Sequence, residues 1–221
     1  MLLSLSNKAQ INLVPNYSFE DTIGDCQLVM IINTSSNSKV KNWTTIGGSS
    51  PDYMNICANS ISYPSWSTIP ANAHSYQYPH LGNAYVDIYT YYTLSSTDSA
   101  LIDAEYLITQ LKQPLKNNTC YYGEMFINLA SISNVAINQI SMLFSSNAYN
   151  SIAHSFTNTI QPQVQWDTTS YFKDTLNWVK VSGTFIAQGG EQFLNIGNFK
   201  DGTHLKKLHL ILVLDLFLIA Y

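Results

Sequence analysis

Carboxylates, histidines and a run of tyrosines are the side chains of this sequence that could do chemistry. Fourteen acidic residues are spread along the chain. Asp103 and Glu105 share one face of a strand-like run, while Asp87, Glu124 and Glu191 fall on other runs. A glycosidase needs two carboxylates at a set separation across the sugar. Spacing along the chain supplies no such pair, so solvated charges on strand faces are the plainer expectation. The five histidines are His74, His80, His154, His204 and His209. None lies in a recognisable general-base context, and the Gly-x-Ser-x-Gly elbow and the His-Glu-x-x-His motif are absent. A histidine-based hydrolase is not expected.

The aromatic residues carry a different signal. Trp66, Tyr76, Tyr78, Tyr85, Tyr89 and Tyr91 lie in or beside a long turn-rich stretch that leads into an alternating strand. Sugar rings present apolar faces that stack on such rings, and their hydroxyls bond to Asn, Gln and Asp. Gln77, Asn83 and Asp87 are interleaved for that purpose. Trp66, Tyr76, Gln77, Tyr78, Asp87 and Tyr89 are therefore the candidate ligand-binding residues. The alternative is that alternate tyrosines merely pack one face of the fold. A loop this long is normally functional or disordered, and its aromatic content argues against disorder.

The elements that must hold these side chains read as strands. Residues 83–93 alternate, with Tyr85, Asp87, Tyr89 and Tyr91 on one face and Ala84, Val86, Ile88 and Thr90 on the other. Residues 104–111 and 120–130 alternate in the same way, and further β-rich runs cover 27–32, 40–46, 135–144, 160–166, 178–187 and 192–196. Helix signals are few; residues 51–57 are the best candidate for one short helical turn. Strand after strand separated by turn residues predicts an all-β antiparallel sandwich. No period of 20–50 residues repeats, so a solenoid or propeller is excluded.

Composition narrows the partners. The 221 residues suffice for one large β domain, and charged residues make up 11%. All ten basic residues are lysine, and net charge is −4. No basic stripe is present to neutralise phosphates, so nucleic acid is not an expected partner. A neutral or weakly polar glycan suits so charge-poor a surface better. Of the three cysteines, Cys26 and Cys57 are the expected disulfide, closing the stretch around Trp43; three buried thiols are the alternative.

The two ends differ from the rest. Residues 1–10 resemble the tail of an export signal with a small residue, Ala9, where cleavage could fall, or else a disordered N-terminus. Residues 11–202 read as one domain. Residues 203–221 are Leu-rich, and they read as a last, fully buried strand or as a fragment end. They are too short, and too interrupted by Asp215, to insert in a membrane.

Residues 12–20, Asn-Leu-Val-Pro-Asn-Tyr-Ser-Phe-Glu, resemble the opening strand of galactose-binding-like jelly-roll domains, the fold of many carbohydrate-binding modules. With Cys26, Trp43, residues 50–57, Tyr76-Gln77, residues 82–85, 178–185 and 189–199, the order is similar to N-terminal lectin-like domains of bacterial gliding-motility-associated surface proteins. The resemblance covers about residues 12–199. It implies a non-catalytic carbohydrate-binding or adhesion module, exported to the cell surface and part of a larger chain. It also implies a structural calcium held by Glu20 and an Asp of the last strand, for which Asp215 is the positional candidate. Two departures stand out: Asp87 replaces a small residue, and the Leu-rich tail replaces an Asp-Asp-Val ending. A structural spacer and a jelly-roll glycan hydrolase are the competing functions.

Overall fold

A computed structural model describes residues 11–24, 30–32, 38–46, 49–58, 66–93, 102–133, 135–148, 160–166, 169–200, 205 and 210–220. Of these, 30–31, 92–93, 102–103 and 210–220 are described through their backbone. The described residues form twelve strands and no helix: β1 Met30–Ile31, β2 Trp43–Thr44, β3 Asp52–Asn55, β4 Ala84–Thr93, β5 Ile102–Asp103, β6 Leu107–Gln110, β7 Cys120–Leu129, β8 Ser141–Ser145, β9 Val164–Gln165, β10 Val179–Ile186, β11 Phe193–Gly197 and β12 Leu210–Ala220. No helix among them is long and apolar enough to cross a membrane.

Two antiparallel sheets result, as the alternation predicts. The larger has seven strands in the order β1-β3-β4-β12-β7-β10, with β5 beside β4; the smaller has five in the order β2-β6-β11-β8-β9. The core lies between them. Val86, Ile88, Met125, Ile127 and Val181 from the larger sheet meet Trp43, Leu107, Met142, Leu194 and Ile196 from the smaller. Along β7 the period of two is clean: Tyr121, Met125, Ile127 and Leu129 point into this core. Tyr122, Glu124, Phe126 and Asn128 then occupy the outer face.

The Leu-rich segment is the middle of the larger sheet. Leu212 through Ala220 pair with β7, and Leu210 through Leu214 pair with β4. With a partner on each edge, the segment is a central strand of the antiparallel sheet.

Two expectations fail here. Residues 51–57 hold no helical turn: Asp52–Asn55 is strand β3, followed by a turn. Tyr53 joins the main core and Met54 a second cluster with Tyr85 on the opposite side, and only an extended backbone sends consecutive side chains to opposite faces. Strict alternation along β4 also breaks. Leu210 pairs with Tyr91 and Ile211 with Tyr89, so one residue is skipped. This bulge turns Tyr91 into the core, 4% exposed, instead of leaving it beside Tyr89.

Trp43 shows how the loops are fastened to the sandwich. It is 2% exposed, its ring lies 5.0 Å from that of Phe19, and its Nε1 donates to the Asn16 carbonyl at 2.9 Å. Trp43→Ala should lower unfolding free energy by about 3–5 kcal/mol, measured by urea denaturation.

Candidate functional site

The site begins with a pairing that is unfavourable by itself. The register of β3 and β4 sets Asp52 directly opposite Asp87. Like charges facing each other across two strands destabilise a sheet. Here the counter-charge comes from the long loop. His74 Nδ1 lies 3.0 Å from Asp87 Oδ2 and 3.9 Å from Asp52 Oδ2.

Local turn chemistry brings His74 to that position. The Asn72 side-chain oxygen accepts from the backbone N–H groups of His74 at 3.0 Å and Ser75 at 2.8 Å, an Asx turn. Ala71 and Tyr76 form an isolated bridge across it. Asn72 Nδ2 donates to the Tyr85 hydroxyl at 2.6 Å, which fixes the turn to β4. The Ile132 N–H donates to the His74 carbonyl at 3.3 Å, and Gln77 Nε2 donates to the Leu176 carbonyl at 3.2 Å. The loop is thus bonded down over the outer face of the larger sheet.

A third carboxylate belongs to the group. Glu105 Oε1 accepts from the Ser50 N–H at 2.8 Å, and its Oε2 accepts from the Tyr89 N–H at 2.9 Å. Burial pushes Glu105 up to about 7 against the pull of those N–H groups. Burial likewise pushes Asp87 up to about 6, although the His74 hydrogen bond and charge oppose it. Asp52 is raised, again by burial, with His74 opposing. Burial acts to lower His74, but the Asp87 hydrogen bond and the charges of Asp87, Asp52 and Glu105 outweigh it and leave it raised. Perturbed groups in such a cluster mark a functional-site candidate.

Exposed rings border the cluster. Trp66 presents its edge to His74 at 6.2 Å between centroids, and Tyr89 does so at 5.9 Å. Trp66 is 46% exposed and Tyr89 37%. Tyr76 and Tyr78, both mostly exposed, form an edge-to-face pair at 6.3 Å elsewhere on the loop.

The predicted site residues therefore divide. Trp66, Tyr76, Tyr78 and Tyr89 are solvent-facing as expected, and Asp87 sits beneath His74. Gln77 is buried in the loop; besides its bond to Leu176, its Oε1 accepts from the Tyr78 N–H at 2.9 Å, so it holds the loop rather than facing outward. Tyr85 is fully buried against Trp178, at 5.9 Å, instead of being exposed. The expectation of solvated strand-face charges fails at Asp87, which is 2% exposed beneath His74, and at Glu105, whose two oxygens are taken up by the Ser50 and Tyr89 N–H groups.

Glu20 accepts from the Asn83 N–H at 2.6 Å and from its Nδ2 at 3.2 Å, so both its oxygens are engaged and Asn83 is anchored. Asp215 pairs through its backbone with Phe126 in the middle of the sheet. The Asp215 side chain lies outside the described residues; among those described, no three His, Cys, Asp or Glu side chains converge as metal ligands. Cys57 is disulfide-bonded and Cys120 is a free thiol; Cys26 lies outside the described residues.

His74 and Asp52 were not singled out from sequence, and Glu105 was weighed there only as a solvated strand-face charge. The usable signal was Asn72-Ala73-His74-Ser75, an Asx-turn pattern that aims a histidine back at a strand carrying Asp87. Nothing local tied it to Asp52.

No protein-family model matches the chain, and no curated protein matches it by sequence. Solved structures do match in fold. A cyclase from Fischerella sp. TAU is similar over 96% of this chain and 98% of its own, at TM-score 0.56 and 15% identity. An adhesin domain of Lys-gingipain from Porphyromonas gingivalis, K3, covers 87% of this chain and 98% of its own at TM-score 0.44 and 13% identity. The xylan-binding CBM22-1 domain of Paenibacillus barcinonensis Xyn10C covers 90% and 97% at TM-score 0.41 and 11% identity. The chain is thus an antiparallel β-sandwich of a shape that an enzyme also uses.

The site has a pH signature. Asp52, Asp87, Glu105 and His74 all have folded-state pKa values above their ordinary ones, so the folded state binds protons more tightly than the unfolded state. Their combined contribution to stability then rises as pH falls from about 8 to about 5. His80, lowered by burial, opposes this below neutrality. The diagnostic is therefore a difference: the Tm gain from pH 8 to pH 5 should shrink in Asp87→Asn relative to the wild-type chain, read by calorimetry at both pH values, about three units apart.

Proposed function

We propose that the chain is a non-catalytic glycan-binding or adhesion module of an exported surface protein, working as part of a larger chain. The observation that supports this reading is the coincidence of exposed rings with hydrogen-bond acceptors on one face. Trp66 and Tyr89 flank His74, and the Asp52 carboxylate, partly open to solvent, lies beside it. A sugar ring stacks its apolar face on such rings, and its hydroxyls donate to carboxylates. The gingipain adhesin and the xylan-binding domain share the general architecture; the sequence motifs, rather than those likenesses, carry the surface-protein part of the proposal.

Glycoside hydrolysis fits less well. The imidazole lies within 3.0 and 3.9 Å of the two carboxylates, in the space between them where a glycosidic oxygen would have to enter. One observation favours an enzyme of another kind: carboxyl groups pushed up to about 6 and about 7 can hold a proton near neutral pH, as a general acid must. The fold shared with a cyclase is compatible with that second reading.

A glycan array with the purified chain tests the first. Trp66→Ala and Tyr89→Ala should each weaken binding of the array's best ligand about tenfold, or ~1.4 kcal/mol. Stability should stay within about 0.5 kcal/mol, since exposed rings contribute little to the core. Loss of stability by about 3 kcal/mol or more would instead make the rings part of the core. An array with no ligand at all leaves the structural spacer.

A further inference from the structure

We propose that the ligand of this face carries a protonated amine, which makes it an amino sugar of the glucosamine type rather than a neutral or N-acetylated one. The proposal rests on the glycan reading above and names the ligand class of that same site.

Charge at the site is the ground for it. Asp52, Asp87 and Glu105 face a single cationic side chain, His74, and among the described residues no lysine pairs with any of the three. The chain contains no arginine. Asp87 bonds to His74 through Oδ2, but its Oδ1 has no hydrogen-bond partner although the residue is 2% exposed. A buried acceptor left without a donor is costly. The Asp52 carboxylate, opposite Asp87 in the register, comes no nearer to His74 Nδ1 than 3.9 Å and is 19% open at its side chain. Negative charge therefore exceeds the positive charge available, and Asp52 is where the cluster reaches solvent.

An ammonium group answers the excess of negative charge at the point where the cluster reaches solvent. At Asp52 it gains a charge-assisted hydrogen bond. It also enters the field of Asp87 and Glu105, which low local dielectric strengthens. The rings of Trp66 and Tyr89 offer cation–π contact to its remaining surface, worth about 0.5–2 kcal/mol according to solvation. A divalent metal fits less well. Hard cations need oxygens converging at roughly 2.3–2.6 Å, and among the described residues no three candidate ligands do so. Anionic sugars are repelled. Sparse charge overall suggests a neutral ligand, but what charge there is has been concentrated at this face by folding.

The test is titration calorimetry on the full chain at about pH 7, below the usual pKa of an amine and above the value of about 6 at which Asp87 takes up a proton. The probes are oligomers of glucosamine, oligomers of N-acetylglucosamine, and spermidine. Glucosamine oligomers should bind at least about tenfold tighter than their N-acetylated counterparts. That ratio should fall toward one in Asp52→Asn. It should also fall in the unmodified chain when salt is raised to about 1 M, where screening acts within a few ångströms, so the result does not depend on the variant folding. Equal affinity for both oligomers overturns the amine inference and leaves the glycan reading standing. Spermidine binding as tightly as the glucosamine oligomers supports the amine and overturns the glycan. Failure of all three probes to bind, with neutral glycans still bound on the array, overturns the inference alone; failure of the array as well overturns both.

Discussion

The feature on which the candidate site depends is an electrostatic conflict. Asp52 and Asp87 face each other across β3 and β4, and the sheet alone offers neither of them a cation. Burying one unpaired carboxylate is expensive, and burying two adjacent ones is worse. The chain resolves this from outside the sheet, by lowering His74 onto both. The loop is thereby held at a fixed place over β4. Its position then determines where Trp66 lies and how much of Tyr89 remains open. A pair that would weaken an isolated hairpin acts here as an anchor.

That anchor is one of several fastenings on the same face. Trp178 Nε1 donates to the Tyr78 carbonyl at 2.9 Å, and Asn128 Nδ2 donates to the Asn177 carbonyl at 3.0 Å. His80 stacks on Phe126 at 3.7 Å between ring centroids. Met54 and Tyr85 form a small apolar cluster with Ile69 and Trp178 beneath the loop. The outer face of the larger sheet is thus covered by polar bonds around a modest apolar patch, whereas the inner face is a continuous hydrophobic core. Covering by hydrogen bonds is local and directional. It leaves rings exposed beside buried charge, an arrangement suited to recognition and unlike the inner face, where burial is driven by apolar area.

The strands were legible because each one repeats its chemistry at period two. Residues 104–111 and 120–130 divided into two faces from alternation alone, and the Leu-rich run 203–221 was legible as a candidate last strand from its apolar character. The failures have identifiable causes. The bulge in β4 is set by how β12 pairs with it, a partner more than a hundred residues distant, so Tyr91 could not be placed from its neighbours. Residues 51–57 carry Pro, Asp and Asn, which imitate a helix start, and only the two separate clusters that take up Tyr53 and Met54 make that segment extended.

The sequence by itself determined the class of fold and the aromatic character of the long loop, because alternation and ring content are properties of neighbours or totals. Tertiary structure alone decided which residues make the site. Asp52, His74, Asp87 and Glu105 come from two paired strands, a covering loop and the chain beyond β5, and no spacing rule links them. Coulomb forces and desolvation depend on distance and burial, not on order in the chain. Carboxylates that look solvated in sequence therefore become a shielded cluster once the register of β3 against β4 and the turn at Asn72 are fixed.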